Sequence, residues 1–220
     1  MKKIALFGAT GTIGQRILNE ALSRGHHVTA IVRDPSRSPE KRPNLEIKVG
    51  DVLKAESVAA AIAGNDVVVS SYGPGKGDPQ QVVTAAHALI AGVAEVGKKT
   101  GQPMRLIVVG GAASLEVAPG VQLLDTPEFP AAWKPVASAA RDALGVYRTE
   151  GTNAGIDWTY FSPAAMIQPG TRTGKYRTGT DQLVRDAKGE SRISAEDYAV
   201  ALLDEIETPR FSRRRFTAAY

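Results

Sequence analysis

The sequence predicts an α/β fold, a doubly wound parallel sheet with helices on both faces, and three observations carry that prediction. Short apolar runs alternate with helical patterns at least five times along the 220 residues. That order is produced by parallel strands joined through right-handed helical crossovers. The run at 66–71, DVVVSS, is β-branched without polar alternation, as a strand covered on both faces requires. Hydrophobic residues at 43% and charged residues at 23% are enough to fill and solvate one such core.

Taken in order, Ile4-Ala5-Leu6-Phe7 reads as the first buried strand. Residues 12–24 follow with helical spacing at Ile13, Ile17, Leu18, Ala21 and Leu22, and Gly25 ends the helix. Residues 27–32 form the second strand, and the proline-rich 33–39 stretch is loop. A third strand at 45–49, a short helix at 54–63 and the strand at 66–71 come next. Residues 72–79 are loop, 80–99 helix and 106–109 the fifth strand. The 112–132 stretch, with prolines at 119, 127 and 130, is expected to be a long irregular connection of the kind that borders sites. A helix starts near Pro135, a sixth strand spans 156–161, and Ser194 opens a last helix with a capping pattern, SAED. A final strand is expected at 215–220. One domain over 1–220 follows, with about 162–193 forming a small C-terminal lobe on the substrate side.

The chain has no cysteine, which excludes disulfides, zinc-thiolate sites and thiol nucleophiles. The three histidines, His26, His27 and His87, show no metal-ligand spacing, so no metal is expected. The net charge of +4 gathers at Arg210 and Arg213-Arg214-Arg215. No nucleic-acid recognition motif accompanies that cluster, and it reads as a solvated terminal strand. The opening MKKIALF has too short an apolar run for a secretory signal, and no stretch approaches the length of a membrane span. A cytoplasmic protein without nucleic-acid or membrane partners is expected.

The chemistry starts at Gly8-Ala9-Thr10-Gly11-Thr12-Ile13-Gly14, between the first strand and first helix. Gly8 permits a tight turn, Gly11 a close approach of ligand to backbone, and Gly14 close packing of helix on sheet. The free N–H groups of Thr12 and Ile13 would face a pyrophosphate. The end of the second strand, where an acidic residue would bind the ribose of NAD, carries Arg33, with Arg37 four residues on. Guanidinium groups suit a 2′-phosphate, so NADP(H) is expected over NAD(H). Asp51, after the third strand, is placed to touch adenine.

GATGTIG, IVRDPSR, GDV and VVVSSYGP, followed by VVGGAASLEVAPG, DWTYFSPAAMIQPG and GESRISAEDYAVALLDEIE, resemble the atypical short-chain dehydrogenase/reductases. Within them they resemble the NADH-flavin reductase group, relatives of biliverdin-IXβ (flavin) reductase and of NmrA-like proteins. The resemblance runs nearly end to end and implies a Rossmann fold. It implies a pyrophosphate loop of Gly8, Thr10, Gly11, Thr12, Ile13 and Gly14, a ribose-phosphate arginine at Arg33, and an adenine contact at Asp51-Val52. It also implies that Ser70, Ser71, Tyr72, Gly73, Gly110, Gly111 and Ala112 line the nicotinamide ribose and that Pro163 lies against the nicotinamide.

The chain departs from the short-chain pattern at the catalytic pair. Its one Tyr-x-x-x-Lys string, Tyr72 to Lys76, encloses Gly-Pro-Gly and cannot be helical. The helix that should hold the pair reads AWKPVASAARDAL, with no tyrosine before Tyr147. Hydride transfer to a flavin or similar planar acceptor survives this loss, because ring stacking and proximity do most of the work and protons can come from water. Ser114 and Tyr72 are the candidate catalytic residues, with Leu115, Trp133 and Met166 as further candidate walls. Two alternatives stay open: an NADP-binding redox sensor without turnover, and a sugar-nucleotide epimerase or carbonyl reductase on the same scaffold.

Overall fold

A computed structural model describes residues 1–220. Its main sheet has eight strands. In chain order they are β1 (Lys3–Phe7), β2 (His27–Val32), β3 (Leu45–Val49), β4 (Val67–Ser70), β5 (Arg105–Val109), β8 (Asp157–Ser162), β10 (Arg177–Gly179) and β12 (Arg214–Ala219). Their spatial order is β10-β12-β8-β5-β4-β1-β2-β3, parallel throughout except for β10 against β12. The doubly wound parallel sheet predicted from the sequence is the observed fold.

Five helices cover the sheet: α1 (Thr12–Ser23), α2 (Ala55–Ile62), α3 (Gln81–Thr100), α4 (Lys134–Val146) and α5 (Ala195–Glu207). α1 packs with α5 on one face, while α2, α3 and α4 pack side by side on the other. Two cores result. Ala5, Phe7, Val68, Leu106, Val108 and Tyr160 point to the α2–α4 side, and Ile4, Leu6, Val67, Val69, Ile107 and Phe161 to the α1–α5 side. Alternate residues of each strand serve alternate cores, as the pleat dictates. On the second face Phe161 is stacked between Tyr198 at 3.9 Å and Phe216 at 4.0 Å.

The connection expected to be irregular holds a small hairpin, β6 (Glu116–Ala118) and β7 (Val121–Gln122), turning at Gly120 with φ +73°. Two short 3₁₀ turns, Leu123–Asp125 and Ala131–Trp133, lead into α4. In the C-terminal segment, β9 (Met166–Gln168) pairs with β11 (Arg192–Ser194) in a separate two-stranded sheet. No helix is long and apolar enough to cross a membrane.

The 168–176 stretch is drawn onto the α1–α5 face. Glu196 accepts the Gly170 N–H at 2.7 Å and pairs with Arg16 at 3.0 Å. Asp197, fully buried, accepts bonds from the Thr173 hydroxyl at 2.6 Å, the Gly174 N–H at 2.7 Å and the Tyr220 hydroxyl at 2.7 Å. Burial opposes ionisation of Asp197, but these bonds outweigh it and hold its pKa below the ordinary aspartate value.

A carboxyl whose folded pKa is depressed stabilises the fold fully above its unfolded pKa and loses that contribution as pH falls through the folded value. Between about pH 7 and about pH 3, Asp197→Asn should therefore lose less stability than the parent chain in denaturant titrations. Equal losses in both proteins would show that the Asp197 carboxylate does not anchor this segment.

Candidate functional site

The carboxyl ends of β1, β2, β4 and β5 open into one cleft of about 970 Å³. Its place follows from the strand order. β1 sits between β4 and β2, so the crossovers leaving β1 and β4 go to opposite faces and part over the sheet edge. A doubly wound sheet leaves its crevice at this point.

The outer wall is the glycine loop. Gly8 has φ +76°, and a Cβ there would stand 2.3 Å from the Ser71 carbonyl oxygen. At Gly14 a Cβ would meet the Gly8 carbonyl oxygen at 2.0 Å. Both positions exclude any side chain. Gly11 differs, because its Cβ would come no nearer than 3.4 Å to the Gly8 oxygen. Packing does not require glycine there; the bare backbone leaves room on the cleft side. Gly11 is also the N-cap of α1 and no side chain caps the helix, whereas α5 is capped by Ser194. Thr12 and Ile13 line the cleft, and the first N–H groups of an uncapped helix, at the positive end of its dipole, are suited to an anion.

At the end of β2, Arg33 and Arg37 are exposed and line the cleft with Asp34. The Asp34 carboxylate accepts bonds from the Ser36 hydroxyl at 2.7 Å and the Ser36 N–H at 2.9 Å. These bonds lower its pKa, with a smaller contribution from the Arg37 charge. The acid at this edge is thus engaged locally, while the two guanidinium groups stay in solvent. Lys76, in the loop after β4, is a third exposed cation in the same lining.

Beyond β4, Ser71, Tyr72 and Gly73 line the cleft. The Tyr72 hydroxyl donates to Gln81 Oε1 at 2.8 Å. Burial raises its pKa, and the nearby Arg33 charge draws it partly back. At the inner end, a Cβ on Gly110 would lie 2.0 Å from Cε1 of Tyr160, so the loop after β5 rests directly on that ring. The Tyr160 hydroxyl donates to the Ala140 carbonyl at 2.8 Å and receives the Gly111 N–H at 3.3 Å. Burial pushes its pKa up to about 12.

The structure thus gathers Gly8, Thr10, Gly11, Thr12, Ile13, Arg33, Arg37, Val52, Ser71, Tyr72, Gly73, Gly110 and Gly111 around one cleft. Gly14 stands behind the loop as its packing partner. Asp51, Ala112, Pro163 and Ser114 are not in the lining. Asp51 instead accepts the Leu53 N–H at 3.0 Å. Ser114 is buried, and its hydroxyl accepts a bond from Arg215 Nη1 at 2.9 Å. Arg215 is itself buried and held by Asp181, so the terminal basic cluster is not wholly solvated. Leu115 is fully buried, whereas Trp133 and Met166 are exposed away from the cleft. The lining takes nothing from 162–193.

Sequence reasoning missed the inner wall. Val82, Ala85 and Leu89 of α3, Val136, Ala140 and Ala143 of α4, Tyr147 just past the end of α4, and Tyr160 of β8 line it. The helical spacing of those two sets was the available signal.

A sequence profile of the NAD(P)H-binding family matches residues 8–209. The chain belongs to that family. It fits the atypical short-chain dehydrogenase/reductase branch that its motifs resemble. Among solved structures it is similar to a "putative exported protein" from Burkholderia pseudomallei, 52% identical over the whole of both chains with a TM-score of 0.87. It is also similar to a "putative epimerase" from Bacteroides thetaiotaomicron, 40% identical over 100% of this chain and 97% of that one, TM-score 0.88. A "putative NADH-flavin reductase" from Streptococcus pneumoniae is 34% identical over 100% of this chain and 99% of that one, TM-score 0.84.

The glycines make separable predictions. Gly14→Ala should cost about 1–3 kcal/mol of folding stability, as overpacking does, because the methyl meets backbone. Gly11→Ala should cost less, about 1 kcal/mol or below as a change of N-cap, and weaken nucleotide binding. Denaturant unfolding and nucleotide titration of both variants read the two effects apart.

Proposed function

We propose that the protein is an NADPH-dependent oxidoreductase that passes a hydride to a flavin or a similarly planar acceptor. The observation that carries this reading is the division of the cleft. A cationic, glycine-walled half lies at the β1 and β2 ends, and an apolar half lies over Gly110 and Gly111. The first half fits a dinucleotide: Gly11 leaves bare backbone on the cleft side, and Thr12 and Ile13 present N–H groups. Bound there, NADPH supplies the hydride.

Arg33 and Arg37 would hold the 2′-phosphate. They are exposed and Asp34 is turned onto Ser36, so a phosphate would compete with water rather than with a resident carboxylate. Gly110 and Gly111 would let the nicotinamide ribose approach the backbone. The hydroxyl protons of Tyr72 and Tyr160 are given to Gln81 and Ala140. Neither is free to protonate a substrate, which favours an acceptor that takes its proton from water. That argues against a carbonyl reductase or epimerase with a tyrosine acid. Ser114 would act on the β5 loop through Arg215 and not on a substrate. We place the protein in the cytoplasm, since its cofactor pool is there.

Oxidation of NADPH in the presence of FMN, followed by absorbance, tests the reaction; tight NADP⁺ binding without consumption would favour a sensor. Hydrogen bonds to charged groups contribute about 1.5–3 kcal/mol. Arg33→Ala should accordingly narrow the preference for NADPH over NADH by about tenfold or more. An unchanged preference would remove Arg33 from the phosphate site.

A further inference from the structure

The cleft takes no lining from 162–193, yet one carboxylate in that segment is tied to the loop that walls the cleft after β5. Gly110 and Gly111 of that loop line the cleft, and Ala113 and Ser114, just beyond them, are buried. The loop is held at two points. The Gly111 N–H donates to the Tyr160 hydroxyl at 3.3 Å. At Ser114, Arg215 Nη1 donates to both the carbonyl and the hydroxyl oxygen, each at 2.9 Å.

Arg215 does not keep that place unaided. It stands on β12 opposite Tyr160 of β8 and is buried, and burial pulls its pKa down. Asp181 supplies the opposing charge. Its Oδ1 accepts Arg215 Nε at 2.9 Å and Nη2 at 2.5 Å, and its backbone carbonyl accepts Nη2 at 3.2 Å. The same carbonyl receives the Glu116 N–H at 2.8 Å, so the far end of the loop is fastened to Asp181 as well. A second cation, Arg148 in the turn after α4, reaches Oδ1 at 2.7 Å. Arg148 and the Asp181 side chain are each about half exposed, so that pair contributes little. The Arg215 pair differs, because a buried guanidinium that loses its carboxylate is left uncompensated or must move.

We infer that Asp181 is a positioning residue for the inner half of the nucleotide: through Arg215 and Ser114 it fixes the loop after β5 on which the nicotinamide ribose rests. This rests on the reading of the cleft as the nucleotide site. Asp181 itself touches neither nucleotide nor acceptor. The outer half of the site is built at the ends of β1 and β2, and neither Asp181 nor Arg215 hydrogen-bonds those elements. The influence of Asp181 is therefore confined to one half of the ligand.

The two halves of the ligand make the test direct. NADP⁺, and adenosine 2′,5′-bisphosphate as its outer half alone, are titrated calorimetrically into the parent, Asp181→Asn and Asp181→Ala. Amide exchange across 110–116 is followed in the same proteins without nucleotide. If Asp181→Ala does not fold, Asp181→Asn, which keeps an acceptor oxygen but no charge, carries the test. Exchange across the loop should be faster in the variants. Their dissociation constant for NADP⁺ should rise about two- to tenfold, the range for one hydrogen bond, while the bisphosphate binds as in the parent. Parent-like exchange in the folded variants would remove Asp181 from control of the loop. Faster exchange with both ligands weakened alike, or with neither weakened, would reduce Asp181 to a structural residue and overturn the positioning role. Failure of NADP⁺ to bind the parent would overturn the nucleotide reading instead, and the exchange data would still judge the hold of Asp181 on the loop.

Discussion

The site depends on backbone touching backbone at the start of α1. With a Cβ at Gly14 the Gly8 carbonyl would have to move, and with one at Gly8 the Ser71 carbonyl would have to move. The β1 turn, the first turn of α1 and the end of β4 therefore form one contact with no side chain in it. The far end of α1 is clamped to α5, where Arg24 bonds Glu20, Asp204 and Glu207. Lifting the helix start would tilt α1 against that clamp. The glycines and the ion network together fix the direction in which the free N–H groups point.

Charge is handled differently in the interior and at the cleft. Buried Arg105 reaches Asp157, Thr159 and Glu205, and buried Arg215 reaches Asp181 and Ser114. A buried cation deprived of its partner costs several kcal/mol, so these networks are constraints on the fold. Arg33, Arg37 and Lys76 are exposed, where an ion pair would contribute little. Leaving them without carboxylates costs the fold almost nothing and keeps them available to an anion. Function can use cations here because stability does not.

What the sequence made legible is local. The strands, the helix limits and the glycine spacing are each written within a few residues, and the Gly8–Gly14 contacts follow once β1 and α1 are adjacent. The positions of Arg33 and Arg37 are legible for the same reason. Ser114 was not, because its orientation is set by Arg215, 101 residues away. The 162–193 segment was not, because its course depends on Asp197 and Glu196 at the start of α5. Strand alternation puts Tyr160 and Phe161 on opposite faces, but which one meets the cleft depends on the neighbours of β8. Tyr147, noticed only where a short-chain catalytic tyrosine is missing upstream, meets Tyr160 once α4 is laid against β8.

The two ends of the cleft use the same physical device for different purposes. At the outer end, Gly8 and Gly14 let backbone meet backbone, and the exposed surface that results is polar N–H. At the inner end, Gly110 lets backbone meet the ring of Tyr160, and the surface that results is aromatic and apolar. Gly111, whose Cβ would stand 3.1 Å from that of Ala140, narrows the gap between the β5 loop and α4 without filling it. The Tyr160 hydroxyl then ties the Gly111 N–H to the Ala140 carbonyl. One tyrosine thus sets both the height of the β5 loop and its distance from α4. Any change that moves its ring should therefore be felt both at the β5 loop and at the facing turn of α4.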